Sequence, residues 1–277
     1  MSPLLKGVDR EHKCKMTGTG REMYDDPQHV RDTFDETMLS EYLLQARWAE
    51  FTELKRAIAE VSIRRGSPIS VLDIGIGDAR VLKHLVGIEE IWGAVSCYDG
   101  IDVAQNCVDI SDKVIGELGV RDKARVVQLD AVNLQQLDRN YDAIISTWFT
   151  VGNFYPSGFS FEKLRQGEVH DMGRNDKFTR IFRQAYGMLN PGGELIIGSF
   201  YLDTEATRKK QEESYRNFGW KVVTDSRHCF TATECGWWSQ RFTEQRMRDY
   251  LDFVPEFRFK FIPLDTYDYA MMARIRK

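Results

Sequence analysis

The stretch Ile69-Ser70-Val71-Leu72-Asp73-Ile74-Gly75-Ile76-Gly77-Asp78-Ala79-Arg80 constrains the fold more than any other part of the chain. A short apolar run enters a glycine turn and leaves on Val81-Leu82-Lys83-His84-Leu85, which reads as a buried strand, a tight loop and a helix. The two glycines let the backbone turn sharply and come close to a ligand. The helix that follows directs unpaired N–H groups at that ligand. A dinucleotide fingerprint, Gly-x-Gly-x-x-Gly, requires a third glycine for close helix packing. Arg80 stands there instead, and an acid, Asp73, lies two residues before the first glycine.

Val71-Leu72-Asp73-Ile74-Gly75-Ile76-Gly77-Asp78-Ala79 resembles the first motif of the class I S-adenosylmethionine-dependent methyltransferases, with Ala79 at the last small position. That resemblance implies a doubly wound α/β fold: a mostly parallel seven-stranded sheet with an antiparallel last strand, helices on both faces and an N-terminal helical cap. It also implies S-adenosyl-L-methionine as cofactor, held in part by Asp73, Gly75, Ile76 and Gly77.

Later stretches extend the likeness in order. Trp92 to Tyr98 reads as a second strand running on to Asp102, and Gly100-Ile101-Asp102-Val103-Ala104 resembles the family's second motif. A carboxylate at the end of the second strand accepts hydrogen bonds from both ribose hydroxyls. Asp99 competes for that role; Asp102 is preferred because Ile101 precedes it and Val103 is placed to line the adenine. Ala124 to Leu129 is a third strand ending on Asp130-Ala131, where the family places an acid for the exocyclic amine of adenine. Tyr141 to Ser146 is the fourth strand. Leu189-Asn190-Pro191-Gly192-Gly193-Glu194-Leu195 matches the helix–turn–strand that closes the family's core sheet, with the fifth strand over 194–200.

Ligands of open α/β sheets bind beyond the carboxyl ends of the strands. The segment Thr147-Trp148-Phe149-Thr150-Val151-Gly152-Asn153-Phe154-Tyr155 therefore falls where a methyl donor meets its acceptor. Thr147 and Trp148 are assigned to the cofactor. Asn153 either hydrogen-bonds an acceptor or serves as a turn residue bonding its own backbone. Thr150-Val151-Gly152-Asn153-Phe154 resembles loops of amino-acid N-methyltransferases, which implies an amine or amino-acid-like acceptor. Transfer from a sulfonium asks the protein mainly to align and dehydrate the partners. Scattered histidines suit that chemistry; Tyr155 and His170 are the candidate bases.

Apolar residues at helical spacing predict a helix over 36–64, and the resemblance implies that it covers the cofactor pocket. Tyr24, His29, Tyr42, Arg47 and Trp48 are the polar or aromatic candidates of the N-terminal region to point inward, with Tyr24 and Arg47 assigned to the cofactor, although for each of them singly, Tyr42 and Trp48 above all, packing in the core is the favoured reading. Residues 157–176 read as a lid or a plain surface loop. The Trp237-Trp238 pair either walls an acceptor pocket or packs across the sheet.

Composition bounds the rest. The chain has 277 residues, 42% hydrophobic and 29% charged, with a net charge of −4. This suits one packed domain, with a tail and helical cap over 1–66 and a core over 67–277, and argues against a nucleic-acid partner. Five loosely spaced cysteines without a Cys-x-x-Cys argue against a disulfide framework or a zinc site. No apolar run reaches the roughly 20 residues that span a bilayer, and residues 1–15 lack a signal-peptide core. The expected partner is a small-molecule methyl acceptor, without membrane, in the cytoplasm, with an oligomer left open. Two other readings stay in play: a protein or peptide acceptor, and a non-catalytic cofactor-binding regulatory subunit.

Overall fold

The computed structural model describes Tyr24, Val30, Phe34 and residues 39–277 apart from Asp171, Phe218, Cys235 and Tyr267. His29, the tail over 1–20 and the first residues of the expected cap helix lie outside these.

The described cap begins with α1 (Glu41–Arg65), whose buried residues Ala46, Glu50, Leu54, Ala57, Ile58 and Val61 recur every three or four positions. Gly66 ends it in the left-handed conformation, its N–H bonding the Ser62 and Ile63 carbonyls. Arg64 and Arg65 in its last turn pair with Glu194 at 2.9 Å and Asp142 at 3.0 Å. β1 (Ile69–Ile74) is buried throughout and leads through the glycine loop into α2 (Arg80–Val86). Trp92 and Gly93, expected in a strand, belong to the short helix α3 (Glu89–Gly93); the ladder starts only with β2 (Val95–Asp102). α4 (Gln105–Glu117) and β3 (Ala124–Gln128) follow, then β4 (Tyr141–Ser146).

β4 pairs with β1 on the side opposite β2, so the chain reverses direction across the sheet between β1 and β4. A crevice opens at the carboxyl ends of strands flanking such a switch point. α5 (Phe161–Arg165) and α6 (Asp176–Gly187) lead to β5 (Leu189–Leu202). The Pro191-Gly192-Gly193 turn does not precede β5 but forms a bulge within it: Tyr141 faces Leu189 and Ala143 faces Glu194. α7 (Glu205–Asn217), β6 (Phe230–Ala232), β7 (Trp238–Phe242), α8 (Glu244–Tyr250), β8 (Phe259–Pro263) and β9 (Ala270–Arg276) complete the chain.

Seven strands run in the order β3-β2-β1-β4-β5-β9-β8, with β9 antiparallel to both neighbours, as expected. The sheet differs from expectation in two further strands. β7 adds in parallel to the end of β5, pairing Tyr201 with Arg241 and Leu202 with Phe242, and β6 folds back on β7. Since β9 occupies one edge of β5 at Tyr201, β7 takes the other, which β4 vacates after Ser146. The β6–β7 hairpin thus rises above the carboxyl end of β4. Strand alternation sends Val71, Ala143 and Ile196 toward α1 and α2, and Leu72, Ile144 and Leu195 toward α6 and α8.

Candidate active site

The glycine loop is left-handed at Gly75 (φ 79°) and Gly77 (φ 58°), which favours glycine at both. A Cβ on Gly75 would stand 2.5 Å from Thr150 Cγ2, and one on Gly77 2.9 Å from Phe34 Cζ. Gly75 and Ile76 N–H donate to the Ile101 carbonyl at 2.9 and 3.0 Å, tying the loop to the end of β2. The Asp102 carboxylate accepts from Gly77 N at 3.1 Å and Ala104 N at 3.0 Å, one bond per oxygen. It is therefore fixed between two loops, and each oxygen keeps a lone pair. Burial raises its pKa, against the pull of those N–H groups. Asp130 caps the 3₁₀ turn of Ala131–Leu137, accepting from Val132 N at 3.1 Å through one oxygen only.

Asp73 is placed differently from its neighbours in the motif. Alternation along β1 turns it away from the loop and under the sheet, where it is 1% exposed and accepts from the Tyr98 hydroxyl at 2.5 Å. Burial pushes its pKa up to about 7 despite that bond, and the charges of Asp102, Glu50 and Asp78 add to the rise. Its carboxylate does not line the cavity described below.

The loop after β4 turns through two consecutive left-handed residues, Trp148 (φ 50°) and Phe149 (φ 61°). Such conformations cost about 1–3 kcal/mol each and need support from their surroundings. Glu50 of α1 supplies it. Its carboxylate is fully buried, and Oε1 accepts from Trp148 N at 3.0 Å and Ser199 N at 2.5 Å. Phe149 N in turn donates to the Ser199 carbonyl at 2.7 Å. Burial raises the Glu50 pKa, partly countered by those bonds and by Arg80. Two guanidinium groups stand over the Trp148 ring, Arg47 at 5.5 Å and Arg80 at 5.0 Å from its centroid. Arg80 also faces Phe34 at 5.2 Å and pairs with Asp78 at 3.3 Å.

These parts surround one cavity of about 820 Å³. Gly75, Ile76, Gly77, Asp102, Val103, Asp130, Ala131, Thr147 and Trp148 line its loop end. Tyr24, Asn153 and Tyr155 line it further on, with Asn153 Nδ2 donating to the Tyr24 hydroxyl at 3.4 Å. Two other assigned residues are elsewhere. Arg47 packs behind Trp148 and does not reach the wall. His170 does not line the cavity: its ring is 4.7 Å from Phe159 and its Nε2 3.2 Å from the Ser160 carbonyl. No described residue from 156 to 176 lines the cavity: Phe161, Leu164 and Met172 pack against Phe230 and Trp238 on the hairpin instead. Both tryptophans of the pair do line it. Trp238 in addition donates from Nε1 to the Gly152 carbonyl at 2.6 Å, pinning the loop after β4 to β7.

Several lining or supporting residues are not marked by any motif: Glu50, Lys177, Tyr201, Tyr215, Trp220 and Tyr269. Glu50 alone left a signal, a carboxylate on the apolar stripe of α1 at four-residue spacing from Ala46 and Leu54.

The donor set fits an adenosyl amino acid. A loop that two Cβ atoms would obstruct, a carboxylate at the end of β2 with lone pairs to spare and a second one after β3 share one wall. When bound, S-adenosylmethionine supplies a methyl group already activated on a sulfonium.

Comparison with known proteins agrees with that geometry. Residues 45–245 match the family model described as a methyltransferase domain. No curated protein matches the sequence. Among solved structures, magnesium protoporphyrin IX methyltransferase from Synechocystis PCC 6803 with bound S-adenosylhomocysteine aligns with a TM-score of 0.55 at 12% identity, over 93% of this chain and 97% of that one. An S-adenosylmethionine-dependent methyltransferase from Clostridium acetobutylicum ATCC 824 aligns with a TM-score of 0.54 at 11% identity, over 90% and 96%. The PH0226 protein of Pyrococcus horikoshii OT3 gives 0.56 at 14%, over 91% and 99%. At such identities these likenesses speak for the fold, and the family match for the chemistry: the chain belongs to the methyltransferase-domain family and is a class I, S-adenosylmethionine-dependent enzyme with a Rossmann-like fold.

Proposed function

We propose that this enzyme transfers a methyl group from S-adenosylmethionine to the nitrogen of a small amine or amino-acid-like acceptor. The observation that carries the reading is a single cavity of about 820 Å³ that runs from the glycine loop, past Trp148 and Asn153, to an aromatic compartment under the β6–β7 hairpin. Its volume falls in the range of sites that enclose a cofactor or drug-sized ligand. In this reading Asp102 accepts from the ribose hydroxyls and Asp130 from the adenine amine. The Gly75–Gly77 backbone lies along the amino-acid part, whose carboxylate Arg80 faces. Asn153 and Tyr155 border the point of transfer. The nitrogen lone pair displaces the thioether, the positive charge passes from sulfur to nitrogen, and the nitrogen then gives up a proton to water. The protein contributes alignment and exclusion of water.

The test is a screen of amines, alcohols, carboxylates and short peptides with isotope-labelled donor, with the product located by mass spectrometry. Label on the nitrogen of a small amine is expected. Label only on oxygen, or only on peptides, overturns the proposal.

A further inference from the structure

We infer that the methyl acceptor has an aromatic body and carries an acidic group, and that Lys177 is the residue that reads that acid; this rests on the function just proposed. The far end of the cavity is built from rings. Tyr201 stacks on Phe149 with centroids 3.9 Å apart and meets Tyr269 at 5.1 Å. Trp220 packs against Trp237 at 4.9 Å and Tyr215 at 5.7 Å. Such a wall takes up a ring by dispersion and edge-to-face contact. Burial holds the Tyr201 and Tyr269 phenols well above their ordinary pKa, so they stay neutral and supply no negative charge.

Charge is divided unevenly along the cavity. The acids among the described lining residues are Asp78, Asp102 and Asp130, all at the loops that meet the cofactor. The lining cations are Arg80, which pairs with Asp78, and Lys177. Lys177 belongs to the acceptor side. Its ammonium stands 5.9 Å from the Tyr155 ring centroid, and its neighbours staple it to the loop after β4. Asn175 Nδ2 donates to the Phe154 carbonyl while its Oδ1 accepts from Phe178 N at 3.0 Å, and Asp176 Oδ1 accepts from Ser157 N at 2.9 Å. Among the described residues Lys177 makes no ion pair, whereas Lys163 and Arg183 each hold a carboxylate. A partly buried lysine on the cavity wall beside Tyr155 favours an anion there, because a charge-assisted hydrogen bond gains strength as water is excluded.

The same charge pattern bears on the reacting nitrogen. Transfer needs the nitrogen lone pair, and no carboxylate among the described lining residues stands on the acceptor side to take a proton from an ammonium. The amine therefore reaches the methyl group as the free base, which an aryl amine already is at neutral pH. An aminoarene carboxylate satisfies every feature of this compartment.

The experiment uses the full chain saturated with S-adenosylhomocysteine and calorimetric titration of matched probes: anthranilate against anthranilamide, and 4-aminobenzoate against 4-aminobenzamide. The acid of at least one pair is expected to bind tenfold or more tighter than its amide. Lys177→Met should bring that ratio to within about twofold of one while cofactor affinity is kept, and Lys177→Arg should retain most of it. Equal affinity of acids and amides, binding by none of the four, or an acid preference that survives in Lys177→Met overturns the inference. A protein that takes up no S-adenosylhomocysteine at all refutes the proposed function itself, a separate and earlier result.

Discussion

Glu50→Ala probes the coupling between the helical cap and the chemistry. The substitution removes one carboxylate oxygen that accepts from Trp148 N and Ser199 N. Each buried N–H left without a partner costs about 1–3 kcal/mol, so the folded state should lose about 2–6 kcal/mol if nothing else moves. Something can move: the left-handed pair Trp148–Phe149 recovers about 1–3 kcal/mol per residue by relaxing. A measured loss below that range should therefore come with a displaced turn. Because Thr147 and Trp148 line the cavity, that displacement should weaken S-adenosylhomocysteine binding by roughly tenfold or more. Glu50→Gln keeps an oxygen for both donors and should fall between. Urea denaturation followed by tryptophan fluorescence gives the first quantity, and calorimetry the second. If Glu50→Ala unfolds within about 0.5 kcal/mol of wild type, the range of a neutral surface change, and binds the product cofactor equally well, the clamp is not what holds the turn.

Three other outcomes are expected. Asp73 binds its proton more tightly in the folded chain than in the unfolded one, with a folded pKa of about 7. Its burial is therefore tolerated at low pH and costs stability as pH rises from about 4 to 7, by up to about 4 kcal/mol. Asp73→Asn should gain on wild type by a few kcal/mol across that window, read from unfolding free energies of the ligand-free proteins; a difference that does not vary with pH contradicts the assigned burial. Asn153→Ala should lower turnover roughly fivefold, the scale of one lost hydrogen bond of about 1 kcal/mol, and leave S-adenosylhomocysteine affinity nearly intact; equal losses in both move Asn153 to the cofactor. Gly75→Ala should sharply reduce cofactor binding, since the new Cβ meets Thr150 at 2.5 Å in a left-handed backbone; unchanged calorimetric affinity counts against the tight loop.

What was legible in the sequence follows from range. β1, β4 and the glycine loop are local patterns, and the sequence spans for β4, Tyr141 to Ser146, and for the loop match the structure. The Pro-Gly-Gly stretch carries a local breaker signal, yet pairing with β4 and the chain terminus draws it into β5 as a bulge: Gly192 N donates to the Lys277 carbonyl at 3.2 Å. The stretch over 237–242 reads as β-like and contains β7, but its partner β6 and its place in the sheet depend on the edge of β5 that β4 leaves free. Lys221–Thr224, β-like by composition, makes a single bridge from Val222 to Thr233. The orientation of a side chain at a strand end is likewise a tertiary fact. Asp73 and Asp102 look alike in their motifs, but one meets Tyr98 beneath the sheet and the other meets the Gly77 amide at its edge. The aromatic compartment draws Tyr201 from β5, Tyr215 from α7, Trp237 from the hairpin and Tyr269 from the approach to β9, so no window of sequence contains it.

The most direct measurement is calorimetric titration of the purified chain and of its Asp102→Ala variant with S-adenosylhomocysteine, with NADH as the control ligand. The predicted result is one site per chain for S-adenosylhomocysteine, affinity reduced by roughly 1–3 kcal/mol in the variant, and no uptake of NADH. Binding of NADH in place of S-adenosylhomocysteine, or an affinity that Asp102→Ala leaves unchanged, would contradict the account.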